Sequence, residues 1–173
     1  MDKIISRRFT DTSILPPPVS GAITRYLGAL SLRVVPDIRL GESNAAQYMK
    51  KTSMYASDAA KHMMHNSAFT CVPSVRTASL LILPRGLVLQ EAKTLFKRLT
   101  FLQYCPCEVG PAVRLQYLQP YGERLVIWHQ PIADQLFVVE NTSRGAWILG
   151  STFVTASFPP SARIVVALAT EGY

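Results

Sequence analysis

Apolar and polar positions along this chain alternate with two rhythms, the three-to-four-residue step of a helix and the two-residue step of a strand. From Ile23 to Leu40 the residues suit strands, with Leu30, Leu32 and Val34 alternating against Ser31, Arg33 and Val35. Pro36 has no N–H to donate, so it breaks that run or places it at a sheet edge. Glu42 to His65 reads as a helix with Ser43 as its N-cap, because Tyr48, Thr52, Tyr55, Ala59 and Met63 recur at helical steps. Lys50, Lys51, Lys61 and His62 spread over the rest of that helix surface. Asn66 to Pro73 reads as a connecting loop, Val75 to Leu83 as a strand and Pro84-Arg85-Gly86 as a turn. A second helix fits Leu89 to Gln103, with Ala92, Leu95, Phe96, Leu99 and Leu102 on one stripe and Lys93, Lys97 and Arg98 facing away.

The remainder is a string of short strand candidates: Ala112 to Leu118, Arg124 to His129, Gln135 to Glu140, Ala146 to Thr155 and Arg163 to Ala169. No helical pattern separates them to serve parallel crossovers, so an antiparallel sheet is expected. The fold class that follows is α+β, a largely antiparallel β-sheet with two main helices. Residues 1–20 are short of apolar periodicity and contain Pro16-Pro17-Pro18, which favours an extended chain without backbone donors. They read as a flexible basic and proline-rich arm, and residues 21–173 as a single globular domain.

Composition sharpens this picture in two ways. Hydrophobic residues make up 49% and charged residues 17% of the chain, an apolar surplus that suits contacts between subunits. The charge is also uneven. The first hundred residues hold fourteen Lys/Arg against six Asp/Glu, a net +8, and the other 73 hold four against five, a net −1. A basic arm and body joined to a near-neutral, strand-rich half points to an anionic partner surface. No apolar run approaches the roughly 18–20 residues that span a bilayer. Arg7 and Arg8 interrupt any secretory core, so the protein is expected to stay in the cytosol or nucleus and to reach a membrane peripherally at most. Cys71, Cys105 and Cys107 are odd in number and fit a reducing compartment.

The inventory for catalysis is thin. His62 and His65 are three apart on one helical face, yet no Cys or carboxylate joins them at metal-ligand spacing. His129 reads as an interior or rim residue. Cys105-Pro106-Cys107 lacks the two-residue spacing of zinc hooks and thiol oxidoreductases. There is no glycine-rich phosphate loop, no nucleophile elbow, and no carboxylate pair that reads as acid and base. No enzyme activity, cofactor or metal is expected. Asn141-Thr142-Ser143 matches a glycosylation sequon by chance.

The basic positions carry more. Lys3, Arg7 and Arg8, interleaved with Ile4, Ile5 and Phe9, combine attraction to anionic lipid with shallow insertion, each cation contributing about 1 kcal/mol near such a surface. Lys50, Lys51, Lys61, Lys93, Lys97 and Arg98 are candidates for binding phosphate groups. Aromatic residues are not interleaved with them, so recognition of particular bases is not expected.

The stretch Val138-Val139-Glu140-Asn141-Thr142-Ser143-Arg144-Gly145-Ala146-Trp147-Ile148-Leu149 resembles the closing segment of vesiculovirus matrix proteins. There too an acidic, small-residue stretch runs into Gly-Ala-Trp, an aliphatic residue and Leu. Element order is similar as well: a basic arm, a proline triplet, a strand like Leu30 to Val34 and an alanine-rich helix like Ser57 to Met64. The short chain looks more like matrix proteins of plant-infecting rhabdoviruses of the cytorhabdovirus kind. Pro16-Pro17-Pro18 is followed by Val19, so a Pro-Pro-x-Tyr late motif is absent, and Arg163 spoils the other proline-based motif.

The resemblance implies a non-enzymatic virion protein that self-associates, condenses the nucleocapsid and links it to the envelope membrane. Its implied partners are further copies of itself, the viral nucleocapsid or RNA, an anionic membrane surface and a viral glycoprotein. Its implied locations are the virion, host cytoplasm, the inner face of membranes and the nucleus. Leu15, Pro16, Pro17 and Pro18 would be the docking peptide of self-association, their preset extended shape lowering the ordering cost. A small viral capsid or coat protein, and a nucleic-acid-binding silencing suppressor, are the alternatives the same features admit.

Overall fold

A computed structural model describes residues 33–83, 102–142, 147–159 and 161–168. The elements are β1 (Arg33–Leu40), α1 (Ala45–Thr52), α2 (Asp58–His65), β2 (Arg76–Ile82), β3 (Leu102–Gln103), α3 (Val109–Gln116), β4 (Arg124–Ile127), β5 (Gln135–Asn141), β6 (Trp147–Phe153) and β7 (Ala162–Leu168). The arm, the turn at 84–86 and the body of the helix expected over Leu89–Gln103 lie outside the described residues.

The strands form one seven-stranded sheet in the order β1-β2-β7-β4-β5-β6, with β3 also paired to β7. Ala167 pairs with Leu80 of β2 and with Gln103 of β3, so β3 takes over the β7 edge that β4 occupies from Ala162 to Val165. Pairing is antiparallel except between β4 and β7, which run parallel. The fold is thus mixed α and β with an antiparallel-dominant sheet. The parallel pair corrects the inference that without intervening helices no parallel pair forms. A parallel pair needs only a long crossover, and here β5, β6 and the segment that follows them supply it.

Each central strand is apolar on both faces. Leu125 and Ile127 of β4, Phe137 and Val139 of β5, and Val165 and Ala167 of β7 join one buried cluster together with Tyr48, Ala60, Met63, Met64, Val109, Ala112 and Val113 of the helices. The alternate residues, Val126 and Trp128, Leu136 and Val138, and Ile164, Val166 and Leu168, form a second buried cluster on the opposite face. Burial on both faces makes such strands read as continuous apolar runs. All three described helices contribute to the first cluster.

The helix expected over Glu42–His65 is two helices. Asn44, not Ser43, caps α1: its side chain accepts from the Gln47 N–H while the Gln47 side chain accepts from its own. After Thr52 the chain turns, with the Tyr55 and Ala56 N–H groups both donating to the Thr52 carbonyl. The edge of β6 then captures it, Leu149 donating to the Tyr55 carbonyl and Ser57 donating to the Leu149 carbonyl, each at 2.9 Å. Ser57 restarts the helix by capping α2, accepting from the Ala60 N–H.

Of the run Ala112–Leu118, expected as a strand, residues 112–116 belong to helix α3 and 117–118 to the loop after it. Gly110 and Pro111 fall in its first turn, where a missing N–H removes no helical bond. A Cβ on Gly110 would lie 2.6 Å from the buried Phe137 ring, so only glycine lets the helix approach the sheet this closely. Leu102–Gln103, expected as the end of the second helix, is strand β3. Of the three described helices, α1 and α2 fall within the expected first helix and α3 lies where a strand was expected, while the expected second helix, apart from Leu102 and Gln103, falls outside the described residues. Pro36 stands where the pairing of β1 with β2 shifts register, between Val35 and Ile38, on the terminal strand of the sheet order.

Candidate functional site

Lys50 and Lys51 form the exposed last turn of α1, a helix with no acidic residue, and Lys61 lies on α2, which packs beside it. Their ammonium groups are held differently. Lys51 donates to the Ser43 hydroxyl at 2.8 Å, a neutral partner that leaves the charge uncompensated. Lys61 pairs with Asp58 at 3.4 Å, but the Asp58 side chain is 91% exposed, and a pair so open to solvent holds its lysine weakly. Lys50 is exposed. Of the residues read from the sequence as anion-binding, these three lie on the neighbouring helices α1 and α2. Lys93, Lys97 and Arg98 lie outside the described residues, as do Lys3, Ile4, Ile5, Arg7, Arg8 and Phe9 of the membrane-binding arm and Leu15, Pro16, Pro17 and Pro18 of the docking peptide.

The turn from α1 into α2 adds a feature the sequence reading missed. Met54 is 87% exposed and Tyr55 47% exposed at its tip, next to the lysines. Below the tip lies Arg114 of α3, itself buried, with its guanidinium carbon 4.4 Å from the centre of the Tyr55 ring. Burial pulls the Arg114 pKa below its ordinary value. A helical phase that ran unbroken through Tyr55 placed this residue on the buried stripe. The break at Ser53 turns it outward.

Several buried polar groups are bound into the scaffold. Glu108, fully buried just ahead of α3, accepts from the Val72 N–H at 2.6 Å through Oε1, and from the Gly41 N–H and the Tyr48 hydroxyl at 3.0 Å through Oε2. One carboxylate thereby ties together the β1–α1 loop, α1 and the loop before β2. Gly41 sits at φ +76°, where a side chain is strained, and a Cβ there would strike the Ser74 carbonyl. Tyr48 is driven well above the ordinary phenol range by burial and then by Glu108. Burial pushes Cys105 and Cys107 up as well, and Cys71 to about 11, with Glu108 adding to its shift. Thiols held neutral in this way are poor nucleophiles and ligands.

His129 is buried beside Phe137, with desolvation lowering its pKa to about 4. Asn141 donates its side-chain N–H to the Gln119 carbonyl at 2.8 Å and is buried, so the sequon's acceptor nitrogen is engaged inside the fold. Gln119 in turn donates to the carbonyls of Glu123 and Val139, pinning the α3–β4 loop. Arg33 pairs with Glu123, and Tyr117 beside them rises to about 12 through burial and Glu123 against the pull of Arg33 and Arg163. Nothing in the spacing of the scattered carboxylates marks Glu108 or Glu123, because their partners come from distant parts of the chain.

The segment that carries the family resemblance occupies β5 and β6, with 143–146 between them outside the described residues. Among the described residues no group of three or more His, Cys, Asp or Glu is arranged to hold a metal, and no helix is long and apolar enough to cross a membrane. A scan against protein-family models finds no match, and searches of curated proteins and of solved structures find none either.

Proposed function

We propose that this chain is a non-enzymatic viral matrix protein of the plant-infecting rhabdovirus type, which self-associates, condenses the nucleocapsid and links it to an anionic membrane. The observation that carries this reading is the acid-free helix α1, which presents Lys50 and Lys51 at an exposed end of a rigid sheet scaffold. Such a face attracts phosphate groups through charge alone, without the side-chain geometry that base recognition demands. The uneven charge of the chain and the Val138–Leu149 resemblance support the same reading. Among the described residues the strands form one sheet rather than the two facing sheets of a jelly roll, which favours it over a coat protein.

The test compares the intact chain with the Lys50→Glu, Lys51→Glu double variant for binding to RNA and to anionic vesicles across a salt series. The wild type is expected to bind both, more weakly as salt rises, and the variant to lose at least tenfold in RNA affinity with its thermal midpoint unchanged. Equal RNA binding by the two at every salt concentration removes this face from the account.

A further inference from the structure

We propose that the α1–α2 turn is a lipid-docking tip, in which Met54 and Tyr55 enter the headgroup layer of an anionic membrane while Lys50, Lys51 and Lys61 bind its phosphates. This deepens the membrane part of the reading above and rests on it, but it places the contact on the globular domain rather than on the arm. Three features of the turn support it.

The first is the pairing of apolar exposure with positive charge. Met54 is the most exposed large apolar residue described, at 87%, and it directly follows the lysine-bearing turn of α1. The second most exposed, Leu118 at 73%, and Tyr121 at 68% sit on the loop 117–123, which contains no lysine or arginine. Residues 43–68 hold Lys50, Lys51 and Lys61 against Asp58 alone. A long unbranched thioether flanked by cations suits the boundary between acyl chains and phosphates, and a tyrosine suits the headgroup level.

The second is that several backbone groups of the tip already have partners. The Tyr55 and Ala56 N–H groups bond to the Thr52 carbonyl, the Tyr55 carbonyl accepts from Leu149, and the Ser57 N–H bonds to the Leu149 carbonyl. Moving the turn out of water leaves these four groups bonded, which lowers the main penalty against inserting a loop. The same bonds fix the turn to the β6 edge, so little ordering cost falls on binding.

The third is what the alternatives require. RNA would gain from stacking on Tyr55, but Arg114 already covers one ring face, and Met54 offers no stacking surface. A second copy related by two-fold symmetry would set the same lysines against each other. Anionic lipid meets both the charge and the apolar tip.

Flotation of the full chain with phosphatidylcholine vesicles, with and without phosphatidylserine, tests the proposal. The wild type is expected to float only with the anionic vesicles. Met54→Asp is expected to lose about tenfold or more in vesicle affinity, Met54→Leu to retain it, and Lys50→Glu to lose a similar amount. Met54→Asp should keep the wild-type thermal midpoint, since the side chain it replaces is almost wholly in water. Its RNA binding should fall by less than about threefold. In a Met54→Trp variant, brominated lipid should quench fluorescence beyond the quenching of the wild type. If Met54→Asp binds anionic vesicles as tightly as the wild type, or Met54→Trp shows no added quenching, the tip is overturned while membrane binding by the chain stands. An equal loss of RNA and vesicle binding by Met54→Asp overturns it in favour of a shared nucleic-acid surface. A wild type that floats with neither vesicle overturns the tip and the membrane reading together.

Discussion

His129 accepts the Phe137 N–H through Nε2 at 3.0 Å, which leaves its proton on Nδ1, 2.6 Å from the Gln130 carbonyl. That arrangement uses the neutral ring, and burial lowers the folded pKa to about 4 from 6.5. Between those values the unfolded chain binds a proton that the folded chain does not. Stability from this group is therefore fully present above about pH 6.5 and is lost as pH falls toward 4, by up to about 3 kcal/mol. Denaturant midpoints measured across that window should fall more steeply for the wild type than for His129→Gln. Parallel pH profiles would show that the ring does not titrate in this way. The sequence told only that His129 ends a strand beside Trp128. Its tautomer and burial depend on Phe137, eight residues on across a hairpin.

At the scale of elements, the hairpin joining β4 to β5 turns through Ala133 and Asp134, both with positive φ, at 48° and 59°. Ile132 and Gln135 exchange two backbone bonds at 3.0 Å around them. A turn of that hand favours Asn-Gly or Gly-containing pairs, so Ala133 is strained where it stands. Ala133→Gly is expected to stabilise the protein by about 0.5–1 kcal/mol, raising the thermal midpoint by roughly 2–4 °C. An unchanged or lower midpoint would mean that unfolded-state entropy outweighs the relieved strain.

The same elements show what the chain's pattern reveals and what it conceals. Arg76–Ile82, Arg124–Ile127, Gln135–Asn141, Trp147–Phe153 and Ala162–Leu168 all fall within or almost within their expected runs, because apolar β-branched residues bounded by turns leave few other options. Helix α3 was concealed by Gly110 and Pro111, which signal a break unless they occupy a first turn. The split of the expected first helix was concealed because β6, some ninety residues away, draws the 53–57 turn out of the helical path. Lys50, Lys51 and Lys61 were legible as an exposed face from periodicity alone. Met54 and Tyr55 became part of that face only once the helix was broken.

At the scale of the whole molecule, a sheet buried on both faces carries a cationic helix end on one side, and its buried polar groups act as internal ties. Two edges of the sheet are partly closed from within. Gln116 bonds to both the N–H and the carbonyl of Arg39 on β1 at 2.8 Å, and the Tyr55–Ser57 turn bonds to Leu149 on β6. Covering edges in this way discourages indiscriminate strand pairing, so the proposed assembly would use specific contacts. The proposed contact is the proline-bearing arm, whose residues Leu15 to Pro18 would dock on a neighbouring domain in many weak copies.

The central claim is self-association, and light-scattering mass determination of the intact chain and of residues 19–173, at low and high salt, tests it most directly. The intact chain is expected to form oligomers that dissociate as salt rises, and the shortened chain to stay folded and nearly monomeric at both. An intact chain that is monomeric at every salt concentration, or a shortened chain that associates to the same extent, would contradict the account.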